Sequence, residues 1–173
     1  MEAWVYIVGG VVVLLGFSVF FGAPYVPSRR KDVTRMFDEL YPLSNKDTII
    51  DVGSGDGIIL REASRRGAKA VGFEISPLLV VLSKILSRGD SNVTITMANF
   101  WLAKFPVETT VIYAFSVERD VKKLAKKMQD ESNRLLKPLA LVCYGSPLGT
   151  IPSVREFEAY HLYQFHPLQA VEA

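Results

Sequence analysis

From residue 48 onward, short apolar runs alternate with longer runs of helical periodicity, and no other feature narrows the possible folds as much. Thr48 to Val52, Lys69 to Ile75, Val93 to Met97, Thr110 to Phe115 and Leu139 to Tyr144 read as strands. Ile58 to Arg66, Leu78 to Ser87 and Glu118 to Leu136 read as the helices among them. Strands that are apolar along their whole length are buried on both faces, and helices between them supply the cover. The expected fold is therefore α/β, a doubly wound, mostly parallel, Rossmann-like sheet. Upstream, Val33, Met36, Phe37 and Leu40 share one helical face in a helix that starts near Ser28 and ends at Pro42. Past Tyr144 the chain turns loop-like, and Arg155 to Phe165 is expected to add one antiparallel edge strand.

The N-terminal end reads differently. Ala3 to Val26 is a run of 24 residues without a charge, which at about 1.5 Å per residue is long enough to cross a hydrocarbon core of about 30 Å. The expectation is one transmembrane helix, with residues 1–27 as an anchor and 28–173 as a single domain. A cleaved signal peptide competes, but the chain opens Met-Glu with no basic stretch, and no A-x-A site follows. Arg29, Arg30 and Lys31 follow the run and only Glu2 precedes it, while Trp4, Tyr6 and Tyr25 stand near its ends. These features predict a single-pass membrane protein with its domain on the cytoplasmic side. The membrane would be a prokaryotic plasma membrane or, if the uncleaved anchor acts as a targeting signal, the mitochondrial inner membrane.

Composition excludes several classes of function. Twenty Lys+Arg against eighteen Asp+Glu leave a formal net charge of +2, so bulk charge points to no nucleic-acid partner. A single cysteine, Cys143, and two histidines, His161 and His166, argue against a disulfide framework and against a metal centre. Lys122, Lys123, Lys126 and Lys127 read as a solvated helix face, with contact to anionic lipid headgroups as the other reading.

The chemistry concentrates in the first strand-to-helix turn, Asp51-Val-Gly53-Ser54-Gly55-Asp56-Gly57. A dinucleotide fingerprint G-x-G-x-x-G would need glycine where Ile58 stands. The spacing is D-x-G-x-G-x-G instead, which resembles the cofactor-binding motif of class I S-adenosylmethionine-dependent methyltransferases. Such a loop passes close under the methionine and ribose, where Cβ atoms would intrude. Glu74 ends the second strand, where a carboxylate can accept both ribose hydroxyls. Asn99 follows the third strand, at the place where these enzymes usually carry an acid for the adenine amino group. Phe100 and Trp101 either wall in the adenine or fill a gap under the sheet.

The resemblance reaches further. The apolar run with PYVPSRRKDVTRMF, then IIDVGSGDGIIL, AVGFEISPLLVVLS, and ANFW with VIYAFSV, are similar to the small membrane-anchored lysine methyltransferases. Mitochondrial members of that family modify the adenine nucleotide carrier and the ATP synthase c-subunit. The resemblance implies S-adenosyl-L-methionine as cofactor, held at Asp51, Gly53, Gly55, Gly57 and Glu74, with Asn99 where the family tends to have aspartate; Ser54 and Asp56 of the same turn, and Phe100, complete the expected cofactor-binding set. It also implies a lipid bilayer and a membrane-protein substrate as partners, with no nucleic acid. The Asn/Asp-Pro-Pro-aromatic tetrapeptide of many amino-group methyltransferases is absent, Ser116-Val-Glu118 standing after the fourth strand, so no catalytic residue is assigned. Tyr25, Trp101, Tyr113 and Phe115 are candidates for an aromatic substrate channel or for the core. Methylation of a lipid or membrane-embedded small molecule, and a non-catalytic cofactor-binding scaffold, remain as alternatives.

Overall fold

The computed structural model describes residues 4–6, 8–10 and 28–168. Seven strands form one sheet: β1 (Thr48–Val52), β2 (Lys69–Glu74), β3 (Val93–Met97), β4 (Val111–Ser116), β5 (Leu139–Gly145), β6 (Arg155–Phe157) and β7 (Tyr160–Phe165). Their spatial order is β3-β2-β1-β4-β5-β7-β6. The first five are parallel, and β7 runs antiparallel to both β5 and β6. Helix α1 (Arg30–Glu39) precedes the sheet; α2 (Ile58–Arg65) and α3 (Pro77–Leu86) make the crossovers β1-α2-β2 and β2-α3-β3. A 3₁₀ turn, Glu118–Asp120, leads into α4 (Val121–Leu135), which joins β4 to β5.

Every residue of β1 is buried, and the two faces of the sheet carry separate cores. On one face Val33, Met36 and Phe37 of α1, Ile59, Leu60 and Ala63 of α2, and Val80 of α3 pack against Ile49, Tyr113 and Val142. On the other, Leu124 and Met128 of α4 pack with Phe105 against Ile50, Ile112 and Leu141. The period-2 alternation of the strands sorts each residue to its core. Glu62, almost fully buried, ties α1 to α2 by accepting from Thr34 Oγ1 (3.1 Å), Arg65 (2.8 Å), Arg30 (3.3 Å) and Arg66. Glu131 plays the matching part on the other face, bridging Lys127 and Arg134 and accepting the Phe105 N–H (3.3 Å).

Two expectations are corrected. Among the described residues no helix is long and apolar enough to cross a membrane, and most of the run from Ala3 to Val26 lies outside them. That finding overturns the expected single-pass membrane location. The expected edge strand over 155–165 is instead a hairpin. Glu158 takes a left-handed φ of 53° in the turn, and the longer arm, β7, inserts beside β5. The physical reason is burial on both sides: Leu162 packs into one core and Tyr163 into the other, which an edge position would leave half exposed.

Candidate active site

Strand order reverses between β1 and β4, because β1-α2-β2-α3-β3 builds outward one way and the chain then crosses back to β4. Clefts at the carboxyl ends of strands beside such a reversal are where open α/β sheets bind ligands. A cavity of about 520 Å³ lies there. Asp51, Gly53, Ser54, Gly55, Asp56, Glu74, Asn99 and Phe100 all line it, as do Trp101, Tyr113 and Phe115. Tyr25 lies outside the described residues, and Gly57 does not line the cavity.

The turn after β1 holds its shape through Glu74. One carboxylate oxygen accepts the Gly55 N–H (2.8 Å), and the other accepts those of Ile75 and Ser76 (both 2.8 Å). Gly53, Gly55 and Gly57 have φ of 87°, 53° and 79°, a region costly for side-chain-bearing residues. Their spatial reasons differ. A Cβ on Gly53 would meet nothing within 4 Å, so its side of the loop is open. A Cβ on Gly57 would stand 2.2 Å from Ser83 Oγ, so that glycine seats the start of α2 against α3. Gly72, which the sequence pattern does not mark, lets β2 come up under the same turn. A Cβ there would fall 2.6 Å from both Leu60 Cδ1 and Ser54 Oγ.

Three acidic residues, Asp51, Asp56 and Glu74, gather at the cavity floor. Asp51 is buried, and burial together with the neighbouring charges of Glu74 and Asp56 pushes its carboxyl far above the usual range. Asp56 is met by Arg61 at 3.3 Å and caps α2 by accepting the Ile58 N–H (3.2 Å). A cationic ligand would relieve the crowding around Asp51 and favour its ionised form. At one end of the cavity Asn99 Oδ1 accepts the Trp101 N–H (3.1 Å), and the Phe100 and Trp101 rings pack with centroids 4.2 Å apart. Lys123 Nζ sits 4.2 Å over the Trp101 ring, Lys126 pairs with Asp130 (2.7 Å) and Lys127 with Glu131 (2.8 Å). Three of the four α4 lysines thus have internal partners.

The other end adds residues that sequence reasoning did not single out: Ser28 and Asp32 before and within α1, Tyr144 one residue before the end of β5 and Tyr160 opening β7. Tyr144 obeys the same strand-end rule that located Glu74. No local signal marks Tyr160, because β7 runs the opposite way.

No protein-family model matches the chain. A lysine N-methyltransferase of Xenopus laevis, named for the ATP synthase c-subunit, is 31% identical over 111 residues, 62% of this chain and 48% of that protein. The chain spans about half the length of this relative and of its human counterpart. A protein-lysine N-methyltransferase of Saccharolobus islandicus is 33% identical over 120 residues, 66% of this chain and 71% of that protein. Among solved structures, an RNA methyltransferase from Salinibacter ruber in complex with S-adenosyl-L-homocysteine superposes with a TM-score of 0.70 and 26% identity. That match covers 86% of this chain and 98% of the other. Strand order, the glycine turn at the reversal and these likenesses define the class as the S-adenosylmethionine-dependent methyltransferases. Within it, the chain belongs to the protein-lysine N-methyltransferases.

Proposed function

We propose that the chain transfers the methyl group of S-adenosylmethionine to lysine side chains of a protein, residue 28 onward forming the methyltransferase unit. The observation that carries this reading is one cavity holding the glycine turn, its Glu74 tether, the acidic cluster around Asp51 and an aromatic far end. Asp51, Gly53, Ser54, Gly55 and Asp56 form the bed for the cofactor, with Gly57 supporting the turn from behind. Glu74 keeps lone pairs beyond its three backbone bonds with which to accept the ribose hydroxyls. Asn99 and Phe100 flank the adenine. When bound, the cofactor supplies an electrophilic methyl on a cationic sulfur, and its positive charge suits the floor around Asp51.

For the acceptor, the chain must align an amine with that methyl and strip it of water and proton. In-line positioning supplies most of the help in a displacement of this kind. The buried ring of Tyr113, the half-buried rings of Phe115 and Trp101, and the low-dielectric walls they make favour the neutral amine over the ammonium. No residue is assigned as general base. The narrower form of the reading places the acceptor lysine on a membrane-associated protein. It rests on the family resemblance, and on the Xenopus relative's name, which gives the ATP synthase c-subunit as its target.

The test is to incubate the protein with tritium-labelled cofactor and a cell extract, then separate protein, lipid and RNA. Label in protein that hydrolyses to Nε-methyllysine is the expected result. Label confined to lipid or RNA would replace the acceptor, and no transfer alongside intact cofactor binding would leave the scaffold reading.

A further inference from the structure

The far end of the cavity is built to one plan across three strands and a helix. Register places Asp51 of β1 beside Tyr113 of β4, Phe115 of β4 beside Tyr144 of β5, and Tyr144 beside Tyr160 of β7. At a strand spacing of about 4.8 Å, Tyr144 and Tyr160 stand roughly 10 and 15 Å from β1 across the sheet, on the side away from Glu74. The Tyr144 and Tyr160 rings have centroids 4.8 Å apart and are tilted 49° to one another, and Phe115 packs on Tyr144 at 5.9 Å. Opposite them runs α1. Its Asp32 lines the cavity and acts on the Tyr160 hydroxyl through its charge, and Ser28, just before the helix, lines the cavity with Tyr113.

Helix α1 is fastened on both flanks. Glu62 holds it to α2, and on the hairpin side Arg35 bridges Glu158 (2.7 Å) with its guanidinium 4.9 Å over the Phe157 ring. Asp32 thereby stands on a helix held in place, lining the same cavity as the tyrosine pair. Two tilted rings with a carboxylate across from them form a corner that takes an apolar stem and draws a positive charge to the ring faces. A nucleobase would also stack on such rings, but being uncharged it would gain nothing from the Coulombic pull of Asp32.

We infer that Tyr144 and Tyr160, faced by Asp32 and backed by Tyr113, are the port that receives the acceptor's alkylammonium side chain on its way to the methyl. This rests on the reading of the protein as a lysine methyltransferase and adds which residues recognise the lysine. The half-buried Tyr144 ring and Asp32 hold the ammonium at the mouth, with buried Tyr160 behind Tyr144; deeper in, the apolar walls favour the neutral amine, its proton leaving to solvent at the mouth.

The probe is a bisubstrate compound in which the adenosyl amino-acid scaffold of the cofactor is joined by a short carbon bridge to the ε-nitrogen of lysine amide. Its affinity for the full chain is compared by calorimetry with that of S-adenosylhomocysteine, and the ratio isolates the acceptor port whatever the natural target. The wild type should bind the bisubstrate more tightly. Tyr144→Leu, Tyr160→Leu and Asp32→Asn should each lower that gain about tenfold while S-adenosylhomocysteine affinity stays within about twofold, which also shows that the variant is folded. Tyr160→Phe, which keeps the ring, should restore most of the gain lost in Tyr160→Leu. An unchanged gain in Tyr144→Leu and Asp32→Asn would overturn the port. So would affinities for both compounds falling in step, or tighter binding of a bisubstrate that carries adenine in place of lysine. A wild type that fails to bind S-adenosylhomocysteine would overturn the methyltransferase reading itself, whereas one that binds it but gains nothing from the lysine arm overturns only the port.

Discussion

The two ends of the cavity hold their shape by different means. On the β1–β2 side one carboxylate gathers three backbone N–H groups, each at 2.8 Å, and fixes the turn that the cofactor would lie on. On the β4–β5–β7 side, rings packed 4.8 and 5.9 Å apart share a wall with a helix that is itself held by ion pairs. Hydrogen bonds to a charged group are directional and strong, which suits a ligand of constant shape. Aromatic faces tolerate a range of approach angles, which suits a flexible side chain that enters and leaves each turnover. On the proposed function, the contrast would let one cleft keep a cofactor in register while its acceptor exchanges.

The sharpest break is expected at the rigid end. Glu74→Ala should weaken S-adenosylmethionine binding by about 1.5–3 kcal/mol, roughly ten- to a hundredfold, because bonds to a charged acceptor are lost. Calorimetry giving wild-type affinity would remove Glu74 from the site.

Next in size is the fastening of α1. Glu62→Gln should lower stability by about 1–3 kcal/mol in urea unfolding, since Arg66, Arg65, Arg30 and Thr34 lose a charged acceptor that is itself buried. Burial pushes the Glu62 carboxyl up, but bonds from Arg66, Arg65 and Thr34 outweigh it and hold the group below the usual range. Glu131 follows the same pattern, with Lys127 and Arg134 overcoming its burial. For a depressed carboxylate the stabilisation is fully present above the unfolded value of about 4.3 and is lost as pH falls through the folded value. Unfolding midpoints should therefore drop below about pH 4.3, and more shallowly in Glu62→Gln. Equal slopes in the two proteins would show that Glu62 contributes nothing.

A spectroscopic difference sharpens the aromatic end. Burial, then the charges of Tyr144, Asp32 and Glu158, push the Tyr160 hydroxyl up to about 12. Its stabilising contribution is complete below the unfolded value of about 10 and disappears as pH rises through the folded one. An alkaline absorbance titration of wild type minus Tyr160→Phe should show a phenol ionising near 12. Asp32→Asn should bring it lower, and a difference component near 10 would contradict the burial and the surrounding charge.

The smallest effect is expected at Asn99. Its Oδ1 already accepts the Trp101 N–H, a bond that aspartate would keep. Asn99→Asp should tighten cofactor binding only about threefold, through a charged acceptor for the adenine amino group. A loss of affinity would place Asn99 away from the adenine.

Legibility in the sequence followed the same division. The glycine turn and Glu74 lie within one βαβ unit, where the pattern of apolar runs and glycines fixes both fold and position, and β1 and β3 have the bounds the periodicity predicts. Gly57 was legible as necessary in the turn, whereas its packing on Ser83 was not, since that depends on where α3 docks. The aromatic end joins residues from α1, β4, β5 and β7, distant in sequence and brought together only by sheet order. Tyr160 in particular stands at the opening of an inserted antiparallel strand, and its placement depends on the hairpin turn at Glu158 that the alternation of residues 155–165 did not reveal.

The most direct test of the division is a crystal structure of the chain with S-adenosylhomocysteine. The account predicts the ribose on Glu74, the adenine beside Asn99 and Phe100, and the sulfur facing Tyr113, with the corner of Tyr144 and Tyr160 left clear. Adenine packed between Tyr144 and Tyr160, with Glu74 out of reach of the ribose, would contradict it.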